Sequence, residues 1–278
     1  MPIHDQGYRR YSGGKTRGRG WTVIARNGIR SFLGKKAFLG LMLLSWFPFF
    51  VRAVQIYAAA NLPQAAFLAP KAETFRQFLD QQEIFVFFVT VYIGAGLIAN
   101  DRRANALQIY LSKPLTRAEY VFGKLAILMT FLLLVTWVPA ILLLLTQIAF
   151  AGSLTFIKNN AFLLPAITVF AFVQAAVVAA TMLALSSLSN SSRYVGILYA
   201  AVLFFTQAIY GVVYAVTRST GMSWISLSAD LTQVGDVIFR LPPKYDTPSV
   251  VSFMVIVAVT AGSALILDRR IRGVEVIR

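Results

Sequence analysis

Cysteine is absent from this chain, and histidine occurs once, at His4. The first absence excludes disulfides and thiol chemistry. The second argues against a metal centre or a histidine-based nucleophile, since His4 lies in a Gly-, Arg- and Tyr-rich tail. Carboxylates are scarce as well: 11 Asp and Glu stand against 26 Lys and Arg, a formal charge of +15. None of them falls in a long apolar run, where Arg52 is the only charge. A proton- or sodium-driven transporter usually carries titratable or coordinating groups at mid-membrane, so that class is disfavoured, with backbone coordination left open. Arg52 lies near the end of its run, where a long side chain can snorkel to water. A complete phosphate-binding loop is also missing. Gly13-Gly14-Lys15-Thr16 mimics its end, but Arg9 occupies the position of the first glycine and no strand precedes it. The chain is not expected to bind ATP by itself.

What is present is apolar. Hydrophobic residues make up 58% of the chain and charged residues 13%, where a soluble domain has about 45–50% and about 25%. The excess sits in six blocks, 37–60, 84–100, 125–150, 162–188, 194–217 and 248–267. A helix crosses the hydrocarbon core in about 20 residues. Hydrocarbon offers no partner for a free backbone group, so each block is read as helical. The alternation that a transmembrane barrel needs is lacking. The expected fold class is an all-α integral membrane protein with six transmembrane helices, an N-terminal interfacial helix and a cytoplasmic coupling helix. The second block is short, and Phe78 and Leu79 can extend it. The uncharged stretches 125–157 and 159–192 exceed one span and are read as carrying extra turns outside. Pro48, Pro139 and Pro165 are each expected to kink or end a helix.

The charge reports topology. Nineteen of the Lys and Arg lie before residue 37, in 100–124, at Arg193 or after residue 267. Only six lie in the alternate segments 61–83, 151–161 and 218–247. That is the positive-inside pattern, and it places both termini in the cytoplasm of a multi-pass protein of the cell (inner) membrane. The basic tails suit anionic lipid; direct nucleic-acid recognition is not expected around six spans. Ala58-Ala59-Ala60 resembles a signal-peptidase site, but the preceding tail is long and Arg52 interrupts it, so an uncleaved span is the better reading. Residues 1–20 are read as a disordered basic tail. Over 21–36, Trp21, Ile24, Ala25, Gly28, Ile29 and Phe32 share one helical face opposite Arg26, Asn27 and Arg30. This is the pattern of a helix lying along the membrane surface, with Trp21 and Phe32 as its anchors. Gly28 weakens such a helix by about 1 kcal/mol relative to Ala, so packing must help. The remaining units are the transmembrane domain 37–267 and a cytoplasmic basic tail, 268–278.

One charge-dense segment separates two apolar runs: NDRRANALQIYLSKPLTRAEYVFGK, residues 100–124. Asp101 is placed to cap a short helix with Ala104, Leu107, Tyr110 and Leu111 on one face. Pro114 ends it. Thr116 and Glu119 form a capping box that starts the next helix. An apolar face flanked by Arg102, Arg103, Lys113 and Arg117 suits a cleft with acidic rims, whereas a plain connector has no need of it.

A charged start, an L-x-x-x-L core, a proline, a small-Arg-x-Glu step and Gly-Lys entering a span resemble the coupling segment of type-2 ATP-binding-cassette (ABC) export permeases. The matching residues are Asp101, Leu107, Leu111, Pro114, Arg117, Glu119, Gly123 and Lys124. Asn105-Ala106 and Gln108 stand where such permeases often have Gly-Thr and Glu. The resemblance implies a docking site for an ATPase at Asp101, Arg102, Arg103, Leu107, Tyr110, Leu111, Pro114, Arg117 and Glu119. It implies two permease subunits, as a homo- or heterodimer, and two separate ABC ATPase subunits that carry ATP and Mg. No catalytic, cofactor or metal residue is assigned to this chain. In 218–247, Leu227, Leu231, Val234 and Ile238 form a helical stripe, which fits a lid, a gate or a packing element. A secondary transporter or channel and a non-transporting membrane scaffold remain the alternatives.

Overall fold

The computed structural model describes residues 20–106, 116–152 and 155–271. Among these the chain is helical, with no strand, and six helical stretches are long and apolar enough to cross a membrane. They run Lys36–Asn61, Ala72–Arg103, Arg117–Ala151, Leu163–Leu188, Ser192–Thr217 and Ser249–Arg270, and are numbered here as spans one to six. This is an all-α membrane protein. With an even number of spans, helix Gly20–Leu33, the 104–116 connection and the end of span six share one end of the bundle. That end is called here the terminal end, and the opposite one the far end.

Proline marks two of the breaks. Span one divides at Trp46, two residues before Pro48, and span three at Thr136, three residues before Pro139. In both cases the missing N–H interrupts the i→i−4 ladder one turn back. Pro165 instead sits in the first turn of span four, where no such bond is due, and the helix continues unbroken through Leu188.

Span two differs from the expectation of a start at 84. A helix begins at Ala72 and meets the rest of the span at Gln82. Phe75, Phe78 and Leu79 recur at helical spacing and are fully buried, which draws part of the 61–83 segment into the bundle.

Spans two, three and four make the interior: 56% of each apolar window is buried, against 17% for spans one and five and 22% for span six. The outer spans turn large side chains such as Leu43, Val54, Phe204 and Phe205 outward. In a membrane such a surface meets lipid or another apolar chain.

The N-terminal helix has a protein partner. Ile24 packs on Gly123, Gly28 on Ile127, and the Phe32 and Phe131 rings lie 6.2 Å apart. Each pair is separated by 99 positions, so the helix runs in the same direction as span three and keeps register with it. A helix lying flat on the head groups would cross an upright span instead. Two glycines permit the approach. A Cβ on Gly28 would fall 2.2 Å from Ile127 Cδ1, and one on Gly123 2.8 Å from Ile24 Cβ. Small residues bring helix backbones close in the same way elsewhere in membranes. Phe32 is stapled further by Phe38 and Tyr92, while Arg26, Asn27 and Arg30 stay exposed.

Candidate functional site

The two roots of the 104–116 connection are fixed to three different spans. At Ile98 the backbone of span two departs from helical geometry (φ −109°, ψ −38°). Donors left without intrahelical partners at such a break need others. The buried Ser186 hydroxyl of span four supplies them: it accepts from Ile98 N at 3.1 Å and Ala99 N at 3.0 Å, and donates to Ala95 O at 3.0 Å. A short helix, Ala99–Arg103, follows directly.

Asp101 does not cap that helix. The helix starts two residues earlier, after Ile98, with no side-chain cap. The Asp101 carboxylate instead accepts from Tyr120 Oη at 2.7 Å and pairs with Lys124 Nζ at 2.6 Å, both on span three. Lys124 is buried among apolar neighbours, where an ammonium is held only if paired. Arg102 donates from Nη1 to Ser187 O at the end of span four. The 19-residue helix Arg117–Val135 opens with the expected capping box: Glu119 N donates to Thr116 Oγ1 at 3.2 Å and Thr116 N to Glu119 Oε2 at 2.9 Å.

Arg103 and Arg117 are exposed. Asn105 adopts φ 52°, a left-handed conformation that glycine and asparagine take most readily. That accounts for asparagine at a position where the resembling permeases often have glycine. Leu107, Tyr110, Leu111 and Pro114 lie outside the described residues. Trp21 is 40% exposed at the start of its helix.

Sequence reasoning quoted Lys124 only as part of a motif and missed Tyr120, Ser186 and Ser187. A lysine at the head of a long uncharged run, after Arg117 and Glu119 in the same helix, is the one signal that pointed to a buried partner.

A second polar assembly lies at the far end. Arg76, 2% exposed, directs Nη1 to Asp80 at 2.5 Å, Nε to Asp236 at 3.5 Å and Nη2 to Thr232 O at 3.3 Å. Its guanidinium stacks on Phe170 at 4.5 Å. Gly235 makes room for it, since a Cβ there would fall 2.5 Å from Arg76 Nε. These contacts seat helix Leu227–Ile238 on the bundle, with Leu227, Leu231 and Val234 against Val177 and Ile256. Ser226 caps the helix, and Gln233 binds the Tyr245 and Thr247 carbonyls. The stripe read from the sequence is thus a packed face. Burial raises the Asp236 carboxyl, opposed by Arg76, and raises Tyr245. Asp230 is fully buried, and neither carboxylate oxygen has a hydrogen-bond partner. Burial pushes it up to about 7, with the nearby Ser252 hydroxyl opposing the rise. Arg52 donates to Gln55 and Gln81, joining span one to helix Ala72–Gln81.

No group of three or more metal-ligating residues occurs among the described residues. The family described as "ABC-2 family transporter protein" matches the chain over residues 22–244. No curated protein matches it.

Proposed function

The chain belongs to the ABC-2 transporter family, and from that premise we propose that it is the permease subunit of an ATP-driven exporter, energised by separate ATPase subunits docked at residues 100–124. The family is a membrane-transport component, and the remaining steps are argued from the chain's own residues.

The observation that carries the reading is the anchoring of the segment's roots. Asp101 is tied to span three through Tyr120 and Lys124, and Arg102 to span four through Ser187. A partner that moves residues 104–116 therefore displaces the ends of spans two, three and four together. These are the three most buried spans. A connector that transmitted nothing would have no use for a buried ion pair at its root.

In this proposal two ATPases close on ATP and Mg, pull on the two coupling segments of a permease pair, and rock the spans so that substrate passes outward. The terminal end faces the cytoplasm, in keeping with the excess of Lys and Arg there. The chain itself hydrolyses nothing. The apolar surfaces of spans one and five are available to lipid or to the second permease.

Leu107→Asp tests the reading. Burying a leucine in a partner's cleft is worth roughly 1.5–3 kcal/mol, and the aspartate adds the cost of an unpaired charge. Co-purification with the ATPase and ATP-driven transport should both fall, while membrane insertion is unchanged. Arg103→Glu with Arg117→Glu, two exposed arginines of the segment, should weaken docking in a salt-dependent way. Transport that persists without any ATPase selects the secondary-transporter or channel reading; unchanged association without transport selects a scaffold.

A further inference from the structure

A cleft of about 870 Å³ opens at the terminal end between helix Gly20–Leu33, span two and the start of span five. Its volume is in the range of small-molecule sites. Its lining combines apolar side chains, Val91 and Ile197 among them, with the polar Asn27, Lys35, Asn100 and Arg193. The charge is one-sided. Asp101 is the only acid in the lining, and it is taken up by Lys124 and Tyr120. Lys35 and Arg193 form no ion pair among the described residues; Lys35 rests its ammonium over the Phe32 ring at 4.7 Å.

Span five adds to the same sign. It begins at Ser192, in the cleft lining, and Ser191 gives it no side-chain cap. The first N–H groups of a 26-residue helix and the positive end of its dipole are therefore left beside Arg193. Two cations without an ion pair among the described residues, an uncapped helix start and two amides thus share one cleft with an apolar lining. That combination of chemistry suits an anionic head group with an acyl tail.

We propose that this cleft binds an anionic phospholipid of the surrounding leaflet, with Lys35 and Arg193 holding its phosphate and the tail lying along Val91 and Ile197. The site needs neither nucleotide nor a partner, so it stands independently of the ATP-driven reading. Bound lipid fills the gap between the N-terminal helix, which packs on span three, and span five, which packs on spans two and four.

The test uses the full chain, purified in detergent, delipidated and offered phosphatidylglycerol or phosphatidylcholine in mixed micelles. Native mass spectrometry counts the lipid retained. The wild-type chain should retain phosphatidylglycerol over phosphatidylcholine by roughly thirtyfold, the effect of two basic side chains at an anionic surface. Lys35→Gln with Arg193→Gln should erase that preference. Lys158→Gln with Arg218→Gln, the same charge change at the far end, should preserve it. Millimolar inorganic phosphate should not displace the lipid, because it lacks the tail. Retention unchanged in the first pair, equal loss in the second, no head-group preference in the wild type, or displacement by phosphate would each overturn the site.

Discussion

The two ends of the bundle use buried charge differently. At the terminal end the buried Lys124 is paired across to the neighbouring span, its ammonium meeting Asp101, which also accepts from Tyr120. At the far end Arg76 is shared between two aspartates, one of them 44% exposed, and neither oxygen of the buried Asp230 carboxyl has a hydrogen bond, with the Ser252 hydroxyl standing nearby. The first arrangement ties together the ends of spans two and three that flank residues 104–116. The second seats a whole helix and leaves one carboxyl whose charge state that packing controls. The difference suits a terminal end that transmits force and a far end that yields.

The largest expected effect breaks the far end. Arg76→Met removes the cation shared by Asp80 and Asp236 and leaves Asp236 buried without it, a loss of about 3–5 kcal/mol. Limited proteolysis at 239–248 should report release of helix Leu227–Ile238, with the other end unaffected. Lys124→Met makes the corresponding break at the terminal end. Asp101 keeps Tyr120 and partial access to water, so the loss should be smaller, about 2–3 kcal/mol. It should appear as weakened ATP coupling, with protection of helix Leu227–Ile238 unchanged. Equal stability losses in the two variants would mean that the ends do not differ in the way described.

The Asp230 carboxyl sharpens the contrast through pH. Its folded value of about 7 lies above the ordinary 3.8. Below about pH 4 it is neutral whether folded or unfolded. Between 4 and 7 only the unfolded state ionises, so stability falls as pH rises, and above 7 the loss is constant. The span of that loss is at most about 4 kcal/mol. Asp230→Asn should match the wild type in thermal midpoint at pH 4, exceed it at pH 8 and lose the slope between. A wild-type midpoint that is flat over this range would place Asp230 in contact with water.

The smallest effect concerns the seam. In Gly123→Ala the new methyl meets Ile24 Cβ at 2.8 Å and Trp21 O at 3.1 Å, atoms that cannot rotate away. About 1–3 kcal/mol of overpacking should follow, read as faster proteolysis of the N-terminal helix. Gly28→Ala should cost less, because the atoms it meets, Cδ1 and Cγ1 of Ile127, belong to a side chain that can turn.

The spans were legible because bilayer thickness demands long uncharged runs, and the Thr116–Glu119 box because capping is local in sequence. What was hidden depended on distant pairing. Ser186 looks like any serine at a helix end until the break at Ile98, 88 positions away, needs an acceptor. Arg76, Asp80, Asp230 and Asp236 lie in the segments 61–83 and 218–247 between spans, where the sequence names no partner for a charge. Their spacing held a clue: Arg76 and Asp80 stand four apart beside Phe75, Phe78 and Leu79, as on one amphipathic helix. The face of helix Gly20–Leu33 was legible, but its partner was not. An apolar stripe is the same whether it meets lipid or a glycine-notched span.

The constant offset of 99 between that helix and span three also orders events in time. The helix is synthesised first, yet its notches do not exist until about a hundred further residues have been made. At about 5–20 residues per second the wait is about 5–20 s, during which spans one and two insert. Through that interval Phe32 has the rings of Phe38 and Tyr92, on spans one and two, while Ile24 and Gly28 lack the residues of span three that cover them in the finished bundle.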